Sequence, residues 1–154
     1  MLKKEGKMGL FDFVGNIGKK IFNREDEASK AVTEHIAEDN PGVENVNVTV
    51  ENGVAKLEGS AKSASALEKA ILMAGNIAGI TSVKADGVNI LNGEVLAGDD
   101  EFYVIQKGDT LWAIAEKHYG NGIKYKAIVE ANKEVIKDEN KIFPGQKIRL
   151  PKSL

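Results

Sequence analysis

Over residues 10–22, Leu10, Phe11, Phe13, Val14, Ile17, Ile21 and Phe22 fall at helical spacing with Lys19 and Lys20 opposite, which predicts a short amphipathic helix. Within residues 26–39, Ala28, Ala31, Val32 and Ile36 stand at i, i+3, i+4 and i+8, so a second helix is expected, stopped by Asn40-Pro41-Gly42. The period then changes. Val46, Val48 and Val50 alternate with polar residues, Glu51-Asn52-Gly53 supplies a tight turn, and Val54, Lys56, Leu57 and Gly59 carry a second strand, giving a hairpin with one buried face. Ser65-Ala66-Leu67-Glu68 reads as a capping box. It opens a helix with a face of Leu67, Ala70, Ile71, Ala74 and Ile77, and Gly75 and Gly79 mark its end. Residues 83–90 read as a third strand, with Asp86-Gly87 as a bulge or bend.

Residues 92–101 are rich in Gly and Asp and read as a linker. Beyond them Phe102, Tyr103, Val104 and Ile105 predict a short strand, and Gly108-Asp109-Thr110 turns into a helix through Leu111, Ile114, Ala115 and His118 that Gly120 ends. A further helix over residues 124–132 and a final strand over 147–150, stopped by Pro151, complete the unit. The pattern therefore predicts an α+β protein of two small domains. Residues 1–24 form an extension with an amphipathic helix, residues 25–91 a helix-strand-strand-helix-strand unit, residues 92–101 the linker, and residues 102–151 a strand-helix-helix-strand unit.

Composition narrows the chemistry. The 154 residues include no cysteine and only two histidines, His35 and His118, far apart in sequence, which argues against disulfides, thiolate metal sites, zinc and cysteine nucleophiles. A net charge of -2 gives no basic footprint for nucleic acid. No phosphate-binding loop, dinucleotide fingerprint or supported catalytic constellation is present, so no enzymatic activity is expected. Lys3, Lys4 and Lys7 precede an apolar run, but Asp12 interrupts it, Gly15 and Gly18 weaken it, and no small-residue cleavage site follows. The reading is therefore a cytoplasmic chain without an export signal or transmembrane segment, with Met8 as its natural start.

Two resemblances sharpen this picture. The run from Phe102 through Gly108-Asp109-Thr110-Leu111-Trp112 to Tyr119-Gly120, with Ala131-Asn132 and Ile142-Phe143-Pro144-Gly145-Gln146-Lys147-Ile148-Arg149-Leu150-Pro151, closely resembles a LysM domain. The alternating valines, the Asn52-Gly53 turn, the segment ending at Gly59, and Gly79-Ile80-Thr81-Ser82-Val83 resemble, more loosely, a BON domain. BON followed by LysM, with a Met8-Gly9-Leu10-Phe11 start and Gly75-Asn76-Ile77-Ala78-Gly79-Ile80 inside, resembles the bacterial cytoplasmic potassium-binding protein family. That resemblance implies a K+ site built from main-chain carbonyls, at positions matching Val14, Ile17, Gly75, Ile77, Ile80 and Val83, with no organic cofactor. The chemistry is coherent. The last carbonyls of a helix lack intrahelical partners and carry the negative end of its dipole, and a weakly hydrated monovalent ion accepts neutral oxygens in place of water. A calcium or magnesium site would need converging carboxylates, which this segment lacks.

The LysM resemblance implies a second option, a groove for N-acetylglucosamine glycans at Gly108, Asp109, Thr110, Leu111, Asn132 and Ile142. A chain using it on peptidoglycan would be an envelope adaptor and would need export; otherwise these residues only cap and turn the domain. Trp112, the single tryptophan, is expected in the core rather than stacked on a sugar. A stress-related scaffold binding other proteins through LysM is a third option. The expectation from sequence is a monomeric K+ sensor that becomes compact when the ion draws its segments together.

Overall fold

The computed structural model describes residues 10–13, 15, 24–96 and 101–151. Helix α1 (Glu25–Glu38) buries Ala28, Val32 and Ile36, three of the four apolar positions that its spacing aligned. It also shields an edge. The hydroxyl oxygens of Ser29 and Thr33 accept the N–H groups of Val50 (2.9 Å) and Val48 (3.0 Å) of strand β1 (Val43–Glu51). Peptide donors that would otherwise face outward are thereby satisfied. Between helix and strand, the Asn40 side chain accepts from Gly42 and Val43 and donates to the Val43 carbonyl, fixing the turn.

Strand β1 pairs antiparallel with β2 (Val54–Ala61) across a two-residue turn whose Asn52 (φ 52°) and Gly53 (φ 79°) both have the positive φ of a type I′ hairpin. Helix α2 (Ala64–Gly75) then crosses over, and β3 (Ser82–Ile90) runs parallel to β2, giving the order β1-β2-β3. The pairing shifts between Lys56/Lys84 and Glu58/Gly87, the irregularity expected near Asp86-Gly87. One detail departs from the sequence pattern. The N-cap of α2 is Ser63, whose hydroxyl accepts from the Ala66 N–H at 3.1 Å, not Ser65. Glu68 is not drawn back to a cap and serves elsewhere.

In the second domain, β4 (Glu101–Val104) and β5 (Lys147–Leu150) form an antiparallel pair covered by α3 (Leu111–Tyr119) and α4 (Tyr125–Ala131). Thr110 caps α3 by accepting from Ala113 N–H at 3.1 Å, and Gly120 ends it at φ 73°. Ile105, Leu111, Ile114, Ala115, Ile128, Ile136, Ile148 and Leu150 make its core. The two cores adjoin: Phe102 of β4 is buried in the first domain's cluster, and Val135 packs against both. No helix among the described residues is long and apolar enough to cross a membrane.

Candidate functional site

The described residues of the N-terminal segment are not helical. Phe13 N–H donates to the Thr81 carbonyl (2.9 Å), Val83 N–H donates to the Phe11 carbonyl (2.9 Å), and Asp12 bridges Ser82 in antiparallel fashion. Gly79 N–H donates to the Gly15 carbonyl. The helix expected over residues 10–22 is therefore corrected at its start: satisfying these peptide groups against residues 79–83 outweighs the amphipathic spacing there. Leu10 and Phe13 are buried by this docking, while Phe11 faces out.

The loop beneath is itself fixed. Thr81 N–H donates to the Gly53 carbonyl (2.8 Å), so the hairpin turn holds the entry to β3, and Ile80 N–H donates to the Ile77 carbonyl (3.1 Å). Gly79, at φ 104°, supplies the left-handed conformation that lets the chain turn back. Of the positions implied for ion binding, Gly75 ends α2, and Ile77, Ile80 and Val83 point their side chains into the core. Carbonyl oxygens are what remain for chemistry at such positions, and one that accepts a single hydrogen bond, as Ile77 does, keeps a second lone pair. Val14 and Ile17 lie outside the described residues. Their neighbours Phe13 and Gly15 are in contact with the loop, and a Cβ built on Gly15 would sit 3.7 Å from the Ile80 carbonyl oxygen.

Gly75 has a further reason to be glycine. A Cβ there would fall 2.1 Å from Cε1 and Cζ of Phe13, so the ring lies against the bare backbone where α2 ends. Over the same ring, 4.3 Å from its centroid, sits the ammonium of Lys147, a residue of β5 with no solvent exposure. It donates to the Asp12 carbonyl at 2.7 Å and lies 5.5 Å from the Phe102 centroid. Asn76, between two of the implied carbonyls, reaches the same strand. Its Oδ1 accepts Lys147 N–H (2.7 Å) and its Nδ2 donates to the Lys147 carbonyl (2.8 Å). Two residues on, Arg149 binds Glu68 of α2, the Ala131 carbonyl and Glu134. Burial pushes the Glu134 carboxyl above the usual carboxylate range, against the opposing pull of Arg149 and Lys69.

The implied glycan positions are dispersed in character. Gly108 and Thr110 are exposed, Asp109 and Ile142 half-buried, and Leu111 buried. Asn132 is fully buried and grips β5 as Asn76 does: Nδ2 donates to the carbonyls of Ile128 (2.7 Å) and Arg149 (2.8 Å), while Oδ1 accepts from Arg149 N–H (2.7 Å). Asp109 accepts from the Tyr103 hydroxyl (2.6 Å) and from Gln106 N–H (2.7 Å). Burial, with this carboxylate beside it, pushes the Tyr103 phenol up to about 12. Trp112 is not in the core. It is 52% exposed, its ring lying over Gly122, where a Cβ would meet Cε2 at 2.1 Å.

A cavity of about 480 Å³ opens between the end of α1 and the turn after α4, lined in part by Asp39, Lys69, Lys133, Glu134 and Lys137. Of its charged residues, Lys137 pairs with Asp39 within the lining, while Lys133 pairs with Glu130 and Glu134 with Arg149 outside it. Among the described residues, no group of three His, Asp or Glu side chains is arranged to hold a metal ion.

A three-stranded sheet backed by two helices, joined to a strand-helix-helix-strand unit, defines an α+β protein of two small domains. The family models agree, matching a BON domain over residues 24–92 and a LysM domain over residues 103–151. The chain belongs to the family of the potassium binding protein Kbp: it is 38% identical to Kbp of Escherichia coli O6:H1 over 151 residues, 94% of this chain and 99% of that protein. It is also similar to an uncharacterised protein of Deinococcus radiodurans, 34% identical over 62% of this chain and 40% of the relative. Over 32% of this chain it is 40% identical to YqbP of Bacillus subtilis, an uncharacterised protein of which the match covers 26%.

Proposed function

We propose that this chain is a cytoplasmic, monomeric potassium-binding protein without catalytic activity. The ion is held by main-chain carbonyls of Val14, Ile17, Gly75, Ile77, Ile80 and Val83. The observation that carries this reading is the docking of Phe11, Asp12, Phe13 and Gly15 on residues 79–83, which supports a site made from both segments. The name of the Escherichia coli relative, aligned over nearly its whole length, supports the choice of ion. The ion favours the state in which both segments meet, so binding and compaction are one equilibrium, and affinity falls in proportion to the rarity of the compact state when empty.

The test is thermal unfolding followed by circular dichroism in KCl and in NaCl at equal ionic strength, where screening is matched and only specific binding differs. At an ion concentration one hundredfold above Kd, linkage adds about 2.7 kcal/mol in KCl alone. Coincident curves would overturn the reading, as would unchanged affinity after deletion of residues 8–22. Glycan binding through Gly108, Asp109, Thr110, Leu111, Asn132 and Ile142, or a protein partner at the same domain, ranks below it because the Asn132 amide is already engaged with β5. Sedimentation with purified peptidoglycan through moderate salt would reverse that order.

A further inference from the structure

We propose that Gly53, in the hairpin turn between β1 and β2, is a positioning residue of the ion site: it aims the Ile80 carbonyl oxygen and sets the preference for K+ over Na+. The inference rests on the ion-binding reading above and needs only its Ile80 ligand.

The five consecutive N–H groups of residues 79–83 all have acceptors, and those of Thr81 (2.8 Å) and Ser82 (3.4 Å) share the Gly53 carbonyl. A trans peptide points its C=O opposite to its N–H. With the Thr81 N–H turned to the hairpin, the Ile80 carbonyl of the same peptide faces the other way, towards the N-terminal segment, where a Cβ on Gly15 would lie 3.7 Å from its oxygen. The next peptide behaves alike: the Ser82 N–H meets Gly53, while the Thr81 carbonyl accepts from Phe13 N–H at 2.9 Å. The Ile80 oxygen differs in one respect. Ile80 has no solvent exposure, and among the described residues no N–H donates to its carbonyl. Buried carbonyls are rarely left so, and a cation is a fitting partner for one.

The contact needs glycine at position 53. Its φ of 79° lies in the left-handed region, and a Cβ would stand 3.1 Å from Thr81 Oγ1 and 3.2 Å from the Gly79 carbonyl oxygen. The turn therefore buttresses the loop on the side away from the N-terminal segment. Neutral oxygens that can close in hold Na+ as readily as K+; oxygens kept from closing favour the larger ion. Gly53 supplies that restraint for Ile80 through the Thr81 N–H.

The experiment titrates the full chain with KCl and with NaCl, choline chloride keeping the ionic strength fixed, and reads the shift in unfolding temperature for wild type, Gly53→Ala, Gly53→Asn and Gly93→Ala. Asparagine tolerates positive φ, so it crowds Thr81 and Gly79 with less backbone strain. Gly93, at φ 78° with nothing within 4 Å of a Cβ, is the control for strain alone. Both Gly53 variants are expected to lose about tenfold in the ratio of K+ to Na+ affinity, as overpacking displaces the loop. Gly93→Ala loses stability but keeps the ratio. A folded Gly53 variant with the wild-type ratio overturns the proposal. So does a wild-type Ile80 carbonyl-carbon NMR resonance that K+ leaves in place while raising the unfolding temperature, a result that needs no variant. Wild type unresponsive to K+ itself would instead overturn the ion-binding reading.

Discussion

The Asn76 carboxamide binds both main-chain groups of Lys147, at 2.7 and 2.8 Å, across 71 residues of sequence. A side-chain amide here does the work of a neighbouring strand. β4 occupies one edge of β5, and on the other edge the peptide groups of Lys147 and Arg149 are met by Asn76 and Asn132.

Replacing Asn76 with Ala leaves a buried N–H and a buried C=O without these partners. The expected cost is about 2–4 kcal/mol, from an unsatisfied-group penalty of about 1–3 kcal/mol each with partial relief by water. Urea unfolding monitored by Trp112 fluorescence and by far-ultraviolet circular dichroism checks it. The two probes are expected to separate in the variant, because the LysM domain then unfolds less tightly coupled to the BON sheet.

Gly75→Ala improves helix propensity but drives a Cβ into the Phe13 ring. The expected net effect is a loss of about 1–3 kcal/mol from overpacking. The K+-specific gain in unfolding temperature is lost with it, as the N-terminal segment is displaced. Phe13→Ala on the same background should restore tolerance of the methyl group, and a double-mutant cycle in urea measures the coupling between the two residues.

Gly122→Ala sets a methyl group where the Trp112 ring rests. Emission should shift to the red as the indole moves further into water, with about 1–3 kcal/mol lost from the LysM domain and the K+ response intact.

Tyr103 titrates at about 12 in the fold, against an ordinary value of 10.0. A folded value above the unfolded one means that the protonated phenol is the favoured form in the fold. Its contribution is thus fully present below pH 10 and is lost as pH rises towards 12. Tyr103→Phe removes the hydrogen bond to Asp109, costs about 1 kcal/mol near neutrality, and should flatten the stability profile across that alkaline window, as measured by urea denaturation at each pH.

Much of the architecture was legible because local signals agreed with one another. Valines at 46, 48 and 50 and the Asn52-Gly53 turn specify the hairpin without help from distant residues. Thr110 and Gly120 bound α3 in the same way. The Ser65–Glu68 spacing misled because Ser63, two residues earlier, immediately precedes the helix and caps it, which leaves Glu68 to meet Arg149. The segment at residues 10–13 misled because its peptide groups have partners some seventy residues away, which no window of helical periodicity can contain. Residues 147–150 alternate charged and apolar side chains, a pattern that does not by itself signal burial of both faces. All four are buried, since the face carrying Lys147 and Arg149 meets α2 and the N-terminal segment. The implied carbonyl positions came from family resemblance. Backbone ligands leave almost no mark in side-chain chemistry, beyond the glycines that allow the chain to turn.

The bond from Lys147 to the Asp12 carbonyl spans 135 residues, nearly the whole length of the chain. During synthesis the N-terminal segment leaves the ribosome first and must wait for the last strand before this arrangement can close. Contacts so distant in sequence carry a heavy loop-closure cost and form late. A nascent chain halted before β5 would hold the BON sheet but lack the buried ammonium and the strand that Asn76 grips, so the emergence of β5 becomes the step that finishes the domain junction.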